Sequence, residues 1–169
     1  MRKDKGLNGD LDRLPMLTWI MFLKFLDDLE RQREDEAKLA GKKFRPALES
    51  PYRWRDWAAK PDGISGDELL GFVNQEECTR PDGTRGPGLF AYLRRLTGAN
   101  GGDRRDVIAT VFKGVDNRMK SGFLLRDVVN KLNGLHFTSS DELHTLGHLY
   151  ESMLREMREA MNSSTSGGA

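Results

Sequence analysis

Leu14 to Glu30 reads LPMLTWIMFLKFLDDLE, and on a helix its apolar side chains (Met16, Leu17, Trp19, Ile20, Met21, Phe22, Leu23, Phe25, Leu26 and Leu29) face more than one direction. A helix that is apolar nearly all round must be enclosed by other protein or by lipid. Spanning a bilayer takes about 20 apolar residues. This run is broken by Lys24 and closed by Asp27 and Asp28, so protein is the expected surround and no membrane partner is expected. The stretch therefore predicts an all-α protein, an irregular multi-helix bundle around a central apolar helix at about residues 11–40, with aromatic-rich loops.

Outward from that helix the chain alternates helical patterns with turn chemistry. The central helix is expected to start near Leu11 to Pro15, since proline is tolerated in a first turn, and to stop at Gly41. Past Glu30 its surface is polar, so the second half should project and be held by local pairs such as Asp27 with Arg31. Lys42 to Pro61 carries Pro46, Pro51, Tyr52, Trp54 and Trp57 and reads as an irregular connection laying aromatics over a core edge, with a helical turn or two at YRWRDWA. Pro61-Asp62-Gly63 is a turn, and Ser65 with Glu68 is a capping box opening a helix that ends near Cys78. Thr79 to Gly88 is a loop by composition.

Four helical patterns follow, at Leu89–Thr97, Asp103–Lys113, Ser121–Asn133 and Ser139 to about Met161. In the third, Leu124, Val128 and Leu132 with Leu125 and Val129 predict the core face, leaving Arg126, Asn130 and Lys131 outside. In the fourth, Leu143, Leu146, Tyr150, Leu154, Met157 and Met161 form the stripe. One helical domain over residues 1–161 and a disordered polar tail over 162–169, NSSTSGGA, are expected.

Most catalytic chemistry is missing from the sequence. No strand precedes Gly83, Gly86 and Gly88, there is no GxxxxGK[ST] loop, and no Asn/Asp-Pro-Pro-aromatic tetrad occurs. His144 and His148 stand four apart, but HTLGH lacks the glutamate of HExxH, so they read as partly buried or partner-facing. His136 has no evident partner, and the single cysteine, Cys78, has no neighbouring histidine to activate it. No catalytic, cofactor or metal residue is assigned. The first residues, MRKDKGLNGD, carry no secretory pattern, and the cytoplasm is the expected compartment.

What remains is charge. The net value is only +1, with 31% charged residues, but the distribution is uneven. Asp27 to Glu36 is acidic, whereas two later stretches are basic. Lys42, Lys43, Arg45, Arg104, Arg105, Lys113, Arg118, Lys120 and Arg126 are the candidate DNA-phosphate contacts, since such contacts give affinity and position without sequence information. Each has a plainer reading: Arg105 can pair with a nearby carboxylate, and Arg126 can simply be solvated.

The order of LPMLTWIMFLKFLDDLE, YRWRDWA, VFKGVDNRMKSGFLLRDVVNKLNGLHF and DELHTLGHLYESMLREM resembles the N-terminal helical domain of the modification subunit of type I restriction-modification systems, from about Leu7 to Arg158. The resemblance implies a domain that helps to enclose duplex DNA and to assemble with a specificity subunit, a second modification subunit and a restriction subunit. It also implies a full-length parent that methylates adenine N6 with S-adenosylmethionine. In the family the last helix leads through a GxFYTP segment into the cofactor-binding fold; here MREAMNSSTSGGA stands instead. The expectation is a truncated or excised domain, without the catalytic domain, without cofactor and without activity of its own. The alternative is a protein-interaction module that docks on the specificity or catalytic subunit and never touches DNA.

Overall fold

The computed structural model describes residues 3–98 and 104–167, with side chains over 17–98 and 104–159. Among the described residues the order is α1 (Lys3–Leu39), α2 (Trp54–Trp57), α3 (Gly66–Asn74), β1 (Cys78–Thr79), β2 (Arg85–Gly86), α4 (Leu89–Arg94), α5 (Arg104–Phe112), α6 (Gly122–Leu132) and α7 (Ser140–Gly167). The architecture is the expected all-α one.

Helix α1 is the axis. Trp19, Ile20, Phe22, Leu23, Phe25 and Leu26 are buried, and each fully buried large apolar side chain contributes about 1.5–3 kcal/mol. Its faces meet different neighbours. Trp19 packs edge-on against Phe90 of α4 at 4.8 Å, Phe22 stacks on Tyr150 of α7 at 5.0 Å and tilts against Phe112 of α5 at 6.0 Å, and Phe25 meets Phe137 edge-on at 5.7 Å. Beyond Glu30 the helix is polar and largely exposed, with Asp27 paired to Arg31 at 3.3 Å as expected. It stops where glycine predicted: Gly41 adopts φ +67°, its N–H donates to the Lys38 carbonyl, and Lys42 N–H reaches back to Ala37. That pair of bonds satisfies carbonyls the helix end would otherwise leave open.

The connection 42–61 lays its aromatics inward. Tyr52 stacks on Tyr92 at 3.8 Å, Trp57 packs on Phe72, and Trp54 Nε1 donates to Asn133 Oδ1 at 2.8 Å, tying α2 to the end of α6. Helices α3 and α6 meet at their first turns, where Gly122 lies directly on the Gly66 carbonyl with no room for a Cβ.

Several expectations are corrected. Helix α1 begins at Lys3, so Pro15 lies inside it rather than in its first turn, where it cannot donate a backbone bond. Helix α3 ends at Asn74 rather than near Cys78, because Gln75 turns extended to feed β1. Its Ser65–Glu68 box does not form: Gly66 at φ +55° redirects the chain, and Ser65 Oγ bonds no helix N–H. The loop at 79–88 holds a two-residue antiparallel ladder, Cys78 opposite Gly86 and Thr79 opposite Arg85, closed by a turn in which Gly83 N–H donates to Arg80. Helix α4 ends at Arg94, short of Thr97. The expected start at Asp103 lies outside the described residues. On α6 Leu125 and Val129 are buried and Val128 and Leu132 pack partly buried against the core as expected, but Leu124 is 60% exposed, because the contact with α3 turns the helix so that Gly122, Leu125 and Val129 face inward. The polar tail is helical through Gly167, each added residue extending α7 by one backbone bond; 168 and 169 lie outside the described residues.

A reciprocal cap opens α7. Ser139 Oγ accepts from Glu142 N–H at 3.1 Å, and Glu142 Oε1 accepts from the N–H groups of Ser139 at 3.0 Å and Thr138 at 3.3 Å. These bonds, the Ser139 amide first, hold the Glu142 carboxyl below its ordinary value. A depressed carboxyl stabilises the fold above its unfolded pKa and loses that contribution as pH falls through the folded one. Hydrogen exchange should therefore show the first turn of α7 losing protection in acid, whereas Glu142→Gln is less protected at neutral pH and lacks that acid-induced loss.

Candidate nucleic-acid interface

The basic residues fall into three settings. The first is the loop after α1. Glu30 of α1 is buried, and its carboxylate accepts from Ala47 N–H at 3.0 and 3.1 Å and from Arg104 Nη1 of α5 at 2.7 Å. Arg104 Nη2 also donates to the Arg45 carbonyl at 2.8 Å, and its guanidinium lies over the Phe44 ring at 5.6 Å. Arg105 donates to the Pro46 carbonyl at 3.1 Å and pairs with Glu49 at 3.9 Å. The two arginines thus strap the loop to α1 and α5, which is the plainer reading for Arg105 and extends to Arg104. Lys42, Lys43 and Arg45, carried by that loop, are exposed.

Burial pushes the Glu30 carboxyl above its ordinary value even though the Ala47 amide and the Arg104 cation pull it down. A raised carboxyl contributes stability fully below its unfolded pKa and loses it as pH rises through the folded one. Removing the cation raises it further. Arg104→Ala should accordingly cost about 2–3 kcal/mol near neutral pH, below the roughly 3–5 kcal/mol for breaking a fully buried pair, because Arg104 is 38% exposed and its charge is partly screened. Urea denaturation at pH 4 and pH 7 should show the deficit growing with pH.

The second setting is the loop after α5. Arg94 of α4 donates to the carbonyls of Phe112 at 2.9 Å and Val115 at 2.6 Å and pairs with Asp116 at 2.9 Å. Asn117 folds the next turn, accepting from Met119 N–H at 3.1 Å and donating to Asn74 Oδ1 at 3.1 Å. On this fixed loop Lys113, Arg118 and Lys120 are exposed. Among the described residues none of these three, nor Lys42, Lys43 or Arg45, makes an ion pair. Arg94 and Asn117 carry no functional signal in the sequence beyond a local one: an asparagine two residues before Met119 is a turn former.

The third setting removes a candidate. Arg126 is only 4% exposed and points inward, its Nη1 donating to the Trp57 carbonyl at 3.3 Å and Nη2 to Ala58 at 3.1 Å. Burial pulls its pKa down. It clamps α6 onto the end of α2 and presents nothing to a phosphate. The expectation that it faces outward is wrong because α6 is rotated, not because its charge is compensated.

The remaining candidates for chemistry stay quiet. Cys78 is buried and its thiol is pushed up by burial, which leaves it an inert side chain. His136, His144 and His148 are exposed, so the two histidines of α7 are not partly buried. Among the described residues no three of His, Cys, Asp and Glu gather as a metal cluster, and no helix is long and apolar enough to cross a membrane.

Residues 1–79 match the HsdM N-terminal domain family. Over 164 residues, 96% of the chain, the sequence is 40% identical to the type I restriction enzyme EcoEI methylase subunit of Escherichia coli. The chain belongs to this family. It is the N-terminal helical domain of a type I modification subunit, and it spans 30% of the length of that relative. A crystal structure of a modification subunit assigned to a type I restriction enzyme from Vibrio vulnificus YJ016 is 76% identical and superposes with a TM-score of 0.79, covering 95% of this chain and 33% of that one. A chain from structural work on complex assembly and conformational transition of the type I system is 35% identical with a TM-score of 0.55, covering 83% of this chain and 24% of that one. The likeness therefore extends well past residue 79, through α4 to α7.

Proposed function

We propose that this domain handles duplex DNA and supports subunit assembly in a type I restriction-modification enzyme. Lys42, Lys43 and Arg45 on one loop and Lys113, Arg118 and Lys120 on another neutralise phosphates, while Arg104 and Arg105 hold the first loop and Arg94 the second. The observation that carries this reading is that both loops are fixed by arginines bonded to backbone carbonyls, yet their outward cations have no ion-pair partner among the described residues. Fixed, unpaired cations suit a polyanion, because pairing with phosphate displaces counterions and costs little ordering. The full-length parent methylates adenine N6 with S-adenosylmethionine, in the cytoplasm, in a complex with a specificity subunit, a second modification subunit and a restriction subunit.

A second reading has its own support. Phe123 and Leu124, 70% and 60% exposed on the outer side of α6, are the kind of surface that a protein partner covers. On that reading the domain docks on the specificity or catalytic subunit and makes no DNA contact. The two separate cleanly. In the full modification–specificity complex, Lys42→Gln, Lys43→Gln and Arg45→Gln together should leave subunit stoichiometry intact in analytical ultracentrifugation and weaken DNA binding about tenfold or more at moderate salt. Unchanged affinity would sink the phosphate role of this loop, and disrupted stoichiometry would support the docking reading instead.

A further inference from the structure

The two histidines of α7 take no part in DNA handling or docking as described, and their geometry is specific. His144 and His148 sit one turn apart and exposed, with Nε2 atoms 3.0 Å from each other and ring planes 88° apart. Imidazole nitrogens bind divalent first-row metals at about 2.0–2.1 Å. Two such nitrogens at this separation subtend about 91–97° at an ion bound by both, close to the cis angle of square-planar and octahedral complexes. A tetrahedral ion, at about 109°, would need the nitrogens roughly 0.3 Å farther apart. The spacing matches the cis positions of Cu(II) and Ni(II) complexes, and the general order of divalent affinities places Cu(II) above zinc.

The surroundings are consistent with a cation. Asp141 lies three residues before His144 and Glu151 three after His148, both exposed on the same side of the helix. The reciprocal Ser139–Glu142 cap fixes the turn that carries the first histidine, and Leu146 and Tyr150, between and beyond the pair, are buried against the core. Both arms are therefore held on a packed helix before any ion arrives, which lowers the ordering cost of chelation.

We propose that His144 and His148 form a two-imidazole chelate for a divalent transition metal of tetragonal preference, Cu(II) or Ni(II), with water filling the other positions. Without metal, one Nε2–H donates to the other Nε2. Binding moves that proton through solvent to Nδ1 of the same ring, so that both Nε2 lone pairs face the ion.

The test uses untagged protein and the metals alone. Cu(II) electron paramagnetic resonance should show a two-nitrogen hyperfine pattern, and calorimetry with Ni(II) should give one equivalent. His148→Ala and His144→Ala should each weaken Ni(II) binding roughly a hundredfold, the advantage forfeited when one arm of a chelate is removed, and leave a one-nitrogen signal. His136→Ala should change nothing. Both histidines are exposed, so circular dichroism should show the variants folded. The proposal is overturned if wild type binds less than one equivalent, or if either α7 variant binds as tightly as wild type, as it would if the ion sat at the chain's amino terminus.

Discussion

Phe22→Ala is expected to cost about 3–5 kcal/mol and to lower Tm by roughly 6–20 °C. Phe22 is fully buried and touches two helices at once, stacking on Tyr150 of α7 and tilting against Phe112 of α5. Truncation removes the transfer energy of the ring and leaves a cavity between three helices that cannot close without moving one of them. Calorimetric melting of the variant against wild type checks the magnitude. A change below about 1 kcal/mol would mean that α7 is not seated on α1 as described.

Gly122→Ala is expected to be comparably damaging, by about 3 kcal/mol. A methyl group there would overlap the Gly66 carbonyl, carbon and Cα, all backbone, so no side-chain rotation can relieve it. The first turns of α3 and α6 would have to separate, loosening the hold of Arg126 on the Trp57 and Ala58 carbonyls. Gly147→Ala supplies the contrast. Its added methyl meets nothing within 4 Å, and alanine in a helix interior is favoured by about 0.5–1 kcal/mol. Opposite signs for two Gly→Ala changes in one chain separate close packing from backbone entropy, and urea denaturation reads both.

The central helix was legible because apolar residues on every face leave no other solution, and its end was legible because Gly41 supplies the left-handed residue that the terminal turn requires. The aromatic connection was legible from Tyr52, Trp54 and Trp57 beside two prolines. What misled was periodicity on α6. Of the five apolar positions expected inside, Leu125 and Val129 are buried and Val128 and Leu132 pack partly buried against the core, but Leu124 is exposed, and how far the apolar face turns depends on the contact with α3, which no local pattern records. The same rotation carries Arg126 from an expected phosphate contact into the interior. Two-residue strands such as β1 and β2 are too short to alternate, so composition alone reads them as loop.

Among the cations, sequence could gather candidates but could not sort them. Arg104 and Arg105 stand at the start of a helix, a position equally suited to a phosphate contact and to the strap they form. Only Glu30, seventy-four residues from Arg104 in sequence, decides it. Lys42, Lys43, Arg45, Lys113, Arg118 and Lys120 remain as the outward set, and the proposed phosphate role rests on them.

The most direct test is the salt dependence of duplex DNA binding, followed by fluorescence anisotropy on the full modification–specificity complex in its wild-type form and with all six of these residues changed to glutamine. If they neutralise phosphates, the log–log slope of affinity against salt should flatten by about 0.9 for each phosphate no longer neutralised, up to roughly 5 for the six. Equal slopes for the two complexes, with stoichiometry intact, would contradict a phosphate-neutralising role.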